Sequence, residues 1–234
     1  IVNMGRYFPL ITAHKVLAAY GCLLPRILNG TFDYEKHKAV WPSTGNYCRG
    51  GVAISRIMGL NSIAILPEGM SNERFEWLNN WVEDKKNIIK TKGTESNVKE
   101  IYDKCWELQN NRNDIKIFNQ FEEFGNPLWH YSVTGKAAQE VLNKEMVKKG
   151  KLAGVISSSG SAGSLGFGYY LKDHFPGAKL GVVEALQCST LLNNGYGDHR
   201  IEGIGDKHVP WIHNCKNTDL IIGVDDEVIM RLLR

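Results

Sequence analysis

One stretch sets the pattern for the whole chain, namely Gly154-Val155-Ile156-Ser157-Ser158-Ser159-Gly160-Ser161-Ala162-Gly163-Ser164-Leu165-Gly166. Its β-branched apolar run ends in small residues, and a helical pattern follows through Phe167, Tyr170 and Leu171. In such a strand–turn–helix unit, backbone N–H groups and the positive end of the helix dipole bind phosphate. The same unit also serves as a plain connection in α/β domains, so this stretch alone leaves both interpretations open.

Short apolar runs alternate with longer amphipathic segments along the rest of the chain. We predict strands at 39–41, 62–66, 87–89, 115–118, 179–183 and 220–222, and helices at 15–24, 72–82, 95–109, 136–149 and from Asp225 onward. A further helix follows the small-residue turn 43–47, and Pro25 is expected to end or kink the first helix. This alternation predicts an α/β fold with parallel sheets, whose ligands bind at the carboxyl ends of the strands.

The composition excludes several classes of partner. The 234 residues are 43% hydrophobic and carry a net charge of +3, which is too small to favour nucleic acid or an anionic membrane. The five cysteines are widely spaced and form no metal-binding or disulfide pattern, so we expect a cytoplasmic protein without a metal site. No apolar run reaches the length of a membrane span.

Five segments, in order along the chain, share their residues with one known pattern. They are 43–47 (Ser-Thr-Gly-Asn-Tyr), 66–74 (Leu-Pro-Glu-Gly-Met-Ser-Asn-Glu-Arg), 119–121 (Asn-Gln-Phe) with Asn126-Pro127, His130-Tyr131 and Thr134-Gly135, then 159–163, and 200–205 (Arg-Ile-Glu-Gly-Ile-Gly). Together they resemble the fold-type II pyridoxal-phosphate enzymes, most closely the cysteine synthase and cystathionine β-synthase branch. Several co-linear motifs are far more specific than any one of them.

The resemblance implies two α/β domains, each with a mainly parallel sheet flanked by helices. We place a smaller N-terminal domain at 1–134, with the Asn46 loop and the Lys15 segment, and a larger C-terminal domain with the phosphate loop at 135–234. The family's chain begins earlier and continues past Arg234, so we expect this sequence to be truncated at both ends. Family members are commonly dimers, which gives the expectation of a homodimer.

Pyridoxal 5′-phosphate is the cofactor that the resemblance implies. Lys15, at a helix start upstream of Asn46, occupies the place of the family's Schiff-base lysine, with Lys36 and Lys38 as alternatives. The resemblance assigns cofactor binding to His14, Lys15, Asn46, Ser159, Gly160, Ser161, Ala162, Gly163, Ser164 and Gly203, and substrate binding to Ser43, Thr44, Gly45, Tyr47 and Gln120. The Ser, Thr, Asn and Gly residues among them are also common in loops that have no ligand.

Two departures from the family pattern bear on the substrate. Asp206 stands where a small apolar residue is usual, and its carboxylate is a candidate general acid or base; a solvent-exposed, turn-capping Asp is the alternative. Tyr47 replaces a threonine, and we expect the phenol to reshape the substrate pocket. Both favour a lyase that breaks down L-cysteine and releases hydrogen sulfide.

The function implied by these residues is β-elimination or β-replacement at Cβ of L-cysteine or an O-activated serine, through an aminoacrylate intermediate. Water would add to give serine, or another nucleophile would take its place. The alternatives are a biosynthetic cysteine synthase (O-acetylserine sulfhydrylase), another fold-type II deaminase, and a catalytically inactive relative that binds an amino acid. Lys15, Asn46 and Gln120 argue against the inactive relative.

Overall fold

Alternating helices and strands build the first part of the chain. The computed structural model describes residues 7–95, 97–146, 150–201 and 203–233, and the chain divides into two units, Ile1–Gly125 and Asn126–Arg234. The first unit contains α1 (Lys15–Leu28), β1 (Lys38–Pro42), α2 (Asn46–Ile57), β2 (Ser62–Pro67), α3 (Asn72–Trp81), β3 (Ile88–Thr91), α4 (Val98–Asn111) and β4 (Ile115–Ile117). Its four strands pair in parallel, as the sequence predicts, and their order is β3-β2-β1-β4.

The two central strands of the first sheet, β1 and β2, are buried on both faces and are apolar at most positions. Trp41 of β1 packs into one cluster with residues of α1 and α2 such as Leu23 and Val52. Its neighbour Val40 points to the opposite face, where it packs with Ile101 of α4. Successive side chains of a strand alternate between faces, so helices on both sides are needed to cover such runs.

Pro25 does not end the first helix, which continues to Leu28. Proline lacks an N–H group, so the carbonyl of Gly21 loses its partner four residues on. The backbone of Gly125 packs directly against this carbonyl, leaving no space for a side chain on Gly125. Tertiary packing therefore tolerates a proline that the sequence alone predicts to be disruptive.

Within the described residues, the sheet of the second unit has three strands, one fewer than that of the first. It contains most of α5 (Gly125–Trp129), a π-helical segment (His130–Gly135), α6 (Lys136–Glu145), β5 (Gly154–Ser158), α7 (Leu165–His174), β6 (Lys179–Ala185), α8 (Thr190–Asn193), β7 (Leu220–Val224) and α9 (Asp226–Leu232). The three strands are parallel in the order β5-β6-β7. A helix is predicted at 136–149, and its last three residues, 147–149, lie outside the described residues, as does Arg234.

The boundary between the units differs from the predicted one. It falls after Gly125 rather than after Thr134. The reason is that the π-helical segment joins α5 to α6 without a break, so that all three helical segments belong to the second unit except for Gly125. Its residues pack on α7; one example is Gly135, where a Cβ would meet the ring of Tyr170.

The loops that carry the predicted functional residues follow the carboxyl ends of strands. Residues 43–45 follow β1, Gln120 lies just beyond β4, and the loop 159–164 joins β5 to α7. The carboxyl ends of parallel strands are where α/β proteins bind their ligands. Over the part of the chain that is described, no helix combines the length and the apolar character needed to cross a membrane.

Candidate active site

In the first unit, residues from three distant segments form one hydrogen-bonded series. Nζ of Lys15, at the start of α1, donates to Oε1 of Gln120 at 2.9 Å. Nε2 of Gln120 donates to Oγ of Ser43 at 3.5 Å, and the same oxygen accepts from the backbone N–H of Gly45 at 3.2 Å. The structure therefore brings the predicted lysine together with three of the predicted substrate-binding residues.

The two alternative lysines lie elsewhere in the first unit. Lys36 is exposed and pairs with Asp33 at 2.8 Å, a contact that raises the pKa of Lys36. Lys38 begins β1, at the opposite end of that strand from Ser43. The hydrogen bond to Gln120 thus distinguishes Lys15 from both alternatives.

Close helix packing fixes the backbone of Lys15. A Cβ on Gly50 of α2 would lie 2.5 Å from the carbonyl carbon and oxygen of Lys15, so only glycine permits this approach. His14 occupies the position preceding α1, and its ring meets the edge of Phe8 with centroids 6.5 Å apart. The start of α1 is therefore held from two sides.

Tyr47 lies in the core of the first unit and not at a surface where its phenol would meet a substrate. The side chain is 1% exposed, and its ring packs edge-on against Trp41, with centroids 5.5 Å apart. Nζ of Lys15 lies 5.9 Å from the ring centroid. Tyr47 therefore packs beside the lysine from within the core, and its effect on the substrate pocket stays a prediction. Burial raises the pKa of the Tyr47 phenol and raises that of the neighbouring Cys22 thiol to about 12.

Thr44 is held by two residues that the sequence reasoning missed. Its hydroxyl donates to Oε1 of Glu95 at 2.8 Å, while Nη1 of Arg74 lies 3.6 Å from the other carboxylate oxygen. Arg74 is buried and also donates to the carbonyl oxygen of Thr44 at 3.4 Å. Arg74 is the last residue of the motif at 66–74, so a signal for it existed, but no motif includes its partner Glu95.

Asn46 is the first residue of α2. Its Oδ1 accepts a hydrogen bond from Nη2 of Arg49 at 2.7 Å. Cys48, between them, is buried, and burial raises the pKa of its thiol to about 12. A thiol with such a pKa is a packed side chain and not a nucleophile at neutral pH.

In the second unit, the loop 159–164 is organised by its own hydroxyl groups. Oγ of Ser159 accepts from the N–H of Ala162 at 3.1 Å, and Oγ of Ser161 accepts from Nδ2 of Asn126 at 3.2 Å. Oγ of Ser164 donates to the carbonyl of Ser158 at 3.2 Å. Ala162 takes a left-handed conformation, with φ of 63°. These contacts lead the chain tightly into the ten-residue helix α7.

Asp206 lies against this loop. A Cβ on Gly160 would fall 2.5 Å from Oδ2 of Asp206 and 2.6 Å from the carbonyl oxygen of Gly203. Asp206 is half-buried, and its own carbonyl oxygen lies 2.9 Å from Nδ1 of His208. With Ser159, Gly160, Glu184, Thr190, His208 and His213 it lines a pocket within the second unit. Asp206 therefore does not cap a turn in open solvent.

The predicted site residues fall into two groups. His14, Lys15, Ser43, Thr44, Gly45, Asn46, Tyr47 and Gln120 belong to the first unit, and Ser159, Gly160, Ser161, Ala162, Gly163, Ser164, Gly203 and Asp206 to the second. The first group contains a lysine amine, which is the chemistry that binds an aldehyde, and the second contains a small-residue loop before a helix N-terminus, which is the chemistry that binds a phosphate. Among the described residues, no cluster of three or more His, Cys, Asp or Glu side chains could hold a metal ion.

Comparison with known proteins identifies the class. The sequence profile of the family described as "Pyridoxal-phosphate dependent enzyme" matches residues 9–234. The chain belongs to this family, and its cofactor is pyridoxal phosphate, as the sequence predicts. The fold-type II assignment and the α/β architecture are confirmed with it.

Three relatives show which branch is similar. The cysteine synthase of Staphylococcus aureus is 28% identical over 196 residues, which cover 83% of this chain and 60% of that protein. Cystathionine β-synthase of Saccharomyces cerevisiae is 25% identical over 225 residues, with 88% and 41% covered. The crystal structure of a hydrogen sulfide-producing enzyme from Fusobacterium nucleatum superposes with a TM-score of 0.82 at 25% identity and covers 94% of this chain and 72% of that one. The chain thus spans about three fifths of its Staphylococcus aureus relative.

Proposed function

We propose that this protein breaks the C–S bond of L-cysteine, releases hydrogen sulfide, and adds water at Cβ to give L-serine. The observation that carries the proposal is the pairing of Lys15 with Gln120 and Ser43, a lysine amine beside donors suited to a substrate carboxylate. Asp206 supplies the preference for sulfide release. The similarity to a hydrogen sulfide-producing enzyme supports the same direction.

The chain's own residues fit the cofactor in two places. Lys15 would attach the cofactor aldehyde and Asn46 would contact the oxygen on its ring, while the loop 159–164 and the start of α7 would bind its phosphate. When bound, pyridoxal phosphate supplies an electron sink for the bonds at the substrate's Cα. The protein supplies orientation and proton transfer.

Lys15 is the base at Cα. Its amine takes the Cα proton of the substrate, and the amide of Gln120, 2.9 Å away, keeps the amine from rotating out of reach. Ser43 and Thr44 hold the substrate carboxylate in a fixed direction, because Glu95 and Arg74 restrain the Thr44 side chain and backbone.

Asp206 handles the second proton. As the C–S bond breaks, its electron pair leaves on sulfur, and the Asp206 carboxyl group donates the proton that completes the sulfide. The resulting carboxylate then accepts a proton from the water that adds at Cβ, and the Lys15 ammonium group returns its proton to Cα. The sum is L-cysteine plus water giving L-serine plus hydrogen sulfide, so Asp206 returns to its starting state.

Substitution of Asp206 tests this proposal. Sulfide release and serine formation from L-cysteine are measured for the wild type, Asp206→Asn and Asp198→Asn, with bound cofactor quantified in each. Asp198 lies in the same loop region and its carboxylate is 89% exposed, which makes it a matched control. We expect Asp206→Asn to keep its cofactor and to lose about 100-fold or more in sulfide release, while Asp198→Asn retains full activity. Unchanged turnover in Asp206→Asn would refute the proposed role of this carboxylate in proton transfer.

A second candidate is the synthetic direction, cysteine formation from O-acetylserine and sulfide. It is favoured by the similarity to the Staphylococcus aureus cysteine synthase. Rates with O-acetylserine plus sulfide, compared with rates from L-cysteine alone, decide between the two directions. A homodimer and a cytoplasmic location stay predictions.

A further inference from the structure

Arg49 makes a specific contact with a residue of the candidate site. Both residues lie at the beginning of α2, where Asn46 is the first residue and Arg49 follows one turn later. The guanidinium Nη2 donates to Oδ1 of Asn46 at 2.7 Å. This distance is typical of a charge-assisted hydrogen bond, which is about twice as strong as a neutral one.

The chemistry of arginine determines which way round the Asn46 amide lies. The oxygen and nitrogen of an asparagine side chain are nearly equal in size, so only their partners distinguish them. A guanidinium group carries donors and no acceptor, so the atom facing Arg49 must be the amide oxygen. The Asn46 group that remains for a ligand is then the NH2 group, which donates.

The position of Arg49 runs against the usual preference of a helix. A cation near the N-terminus opposes the helix dipole, and the first turn of α2 has no acidic residue to offset it. A local rule broken in this way is commonly found where a residue serves a site.

Aromatic side chains of α3 hold the arginine in place. The guanidinium carbon of Arg49 lies 5.8 Å from the ring centroid of Trp77, which stacks on Trp81 with centroids 4.9 Å apart and planes 8° apart. Both tryptophans also pack against the cluster of Ile11, Val16 and Ala53, and Ile11 and Val16 lie on either side of Lys15 in sequence. The stacked tryptophans therefore contact both the arginine and the cluster next to the lysine.

We propose that Arg49 is a positioning residue that commits Asn46 to donating a hydrogen bond. The proposal rests on the proposed function, in which Asn46 contacts the ring oxygen of pyridoxal phosphate. A donor stabilises this oxygen in its deprotonated form. Without Arg49, the amide is free to turn over so that its oxygen accepts a hydrogen bond from the O–H of the protonated ring oxygen, which favours the protonated form of that oxygen.

The experiment compares Arg49→Met with Arg56→Met. Arg56 lies on the same helix, is exposed, and stacks over Trp81 at 5.6 Å while donating to the carbonyl of Asn80 at 2.6 Å. Both variants lose one charge and one cation–π contact from α2, but only Arg49→Met loses the contact with Asn46. The apoproteins are titrated with pyridoxal phosphate, and circular dichroism shows whether each variant is folded.

We expect Arg49→Met to bind pyridoxal phosphate about tenfold more weakly than Arg56→Met does. Its long-wavelength absorption band should shrink relative to the near-ultraviolet band of the form in which the ring oxygen is protonated. Arg49→Lys, which keeps the charge and one donor, should recover part of both properties. In an Asn46→Ala background, Arg49→Met should bring no further loss.

Two results would overturn the inference. One is equal affinity and equal band ratio in Arg49→Met and Arg56→Met. The other is the same loss from Arg49→Met whether or not Asn46 is present, because that would make Arg49 a general stabiliser of the fold. Failure of the wild type to bind pyridoxal phosphate would instead refute the proposed function, so the two failures are distinguishable.

Discussion

Replacing Gly50 with alanine tests whether close packing of α2 on α1 positions Lys15. The new Cβ would lie 2.5 Å from the carbonyl carbon and oxygen of Lys15 and 2.8 Å from the N of Val16. These contacts are roughly 1 Å shorter than the optimal separation of non-bonded atoms. All three atoms belong to the backbone, so no side-chain rotation relieves the clash and the two helices must move apart.

Two effects of opposite sign then compete. Alanine in place of glycine stabilises a helix interior by about 1 kcal/mol. Overpacking against a rigid neighbour destabilises by about 1–3 kcal/mol, and a backbone clash belongs at the upper end. We therefore expect Gly50→Ala to lower the free energy of unfolding by about 2 kcal/mol and to weaken pyridoxal phosphate binding, because Lys15 shifts away from Gln120.

Urea unfolding followed by circular dichroism measures the first effect, and titration of the apoprotein with pyridoxal phosphate measures the second. Gly168→Ala in α7 is the control, since its new Cβ would meet the terminal methyl groups of Leu180, which can rotate away. We expect that variant to stay within about 1 kcal/mol of the wild type. A Gly50→Ala protein that is as stable as the control and binds the cofactor normally would refute the reasoning.

Two further predictions concern titrating groups. Cys215 is exposed while the other four cysteines are buried, so we expect one fast phase of reaction with a disulfide reagent near pH 8. The variant Cys215→Ser should lose this fast phase, and fast labelling of the buried Cys22 would contradict the prediction. Hydrogen bonds from Lys172 and from the backbone N–H of Leu180 lower the pKa of Asp219 in the folded protein. The ionised carboxylate therefore stabilises the fold at pH values above the pKa that Asp219 has in the unfolded chain. Asp219→Asn should therefore lower the melting temperature at pH 7, and the gap to wild type should narrow as the pH falls below about 4; a gap that stays constant down to pH 2 would argue against the ion pair.

The strands and their parallel pairing could be predicted from the sequence because their information is local. Runs such as 63–66 are apolar at every position and are bounded by Ser62 and Pro67, which is typical of a strand buried on both faces. The loops 43–45 and 159–164 could be predicted for the same reason, since small residues directly follow a strand and precede a helix.

The features that were missed depend on partners far away in the chain. Pro25 lies inside α1, and the turn that it weakens packs against the backbone of Gly125, a hundred residues later in the sequence. The segment 130–135 was not predicted as helical because its π-helical spacing matches neither the helix nor the strand period.

Side-chain destinations were the hardest to predict within the candidate site. The sequence does not show that the Tyr47 ring packs in the core beside Trp41 and Cys22, because those neighbours come from β1 and α1. Glu95 is separated from Thr44 by fifty-one positions, and only the folded sheet shows that they meet.

The hydrogen bond between Lys15 and Gln120 joins residues 105 positions apart, across nearly the full length of the first unit. Every strand of the first sheet lies between them in sequence, and β4, directly before Gln120, is an edge strand of the sheet. At ribosomal rates of about 5–20 residues per second, the lysine is made roughly 5–20 s before its partner. A nascent chain therefore carries an unrestrained amine until this unit is complete, and reactive chemistry begins only in a protein that has finished folding there.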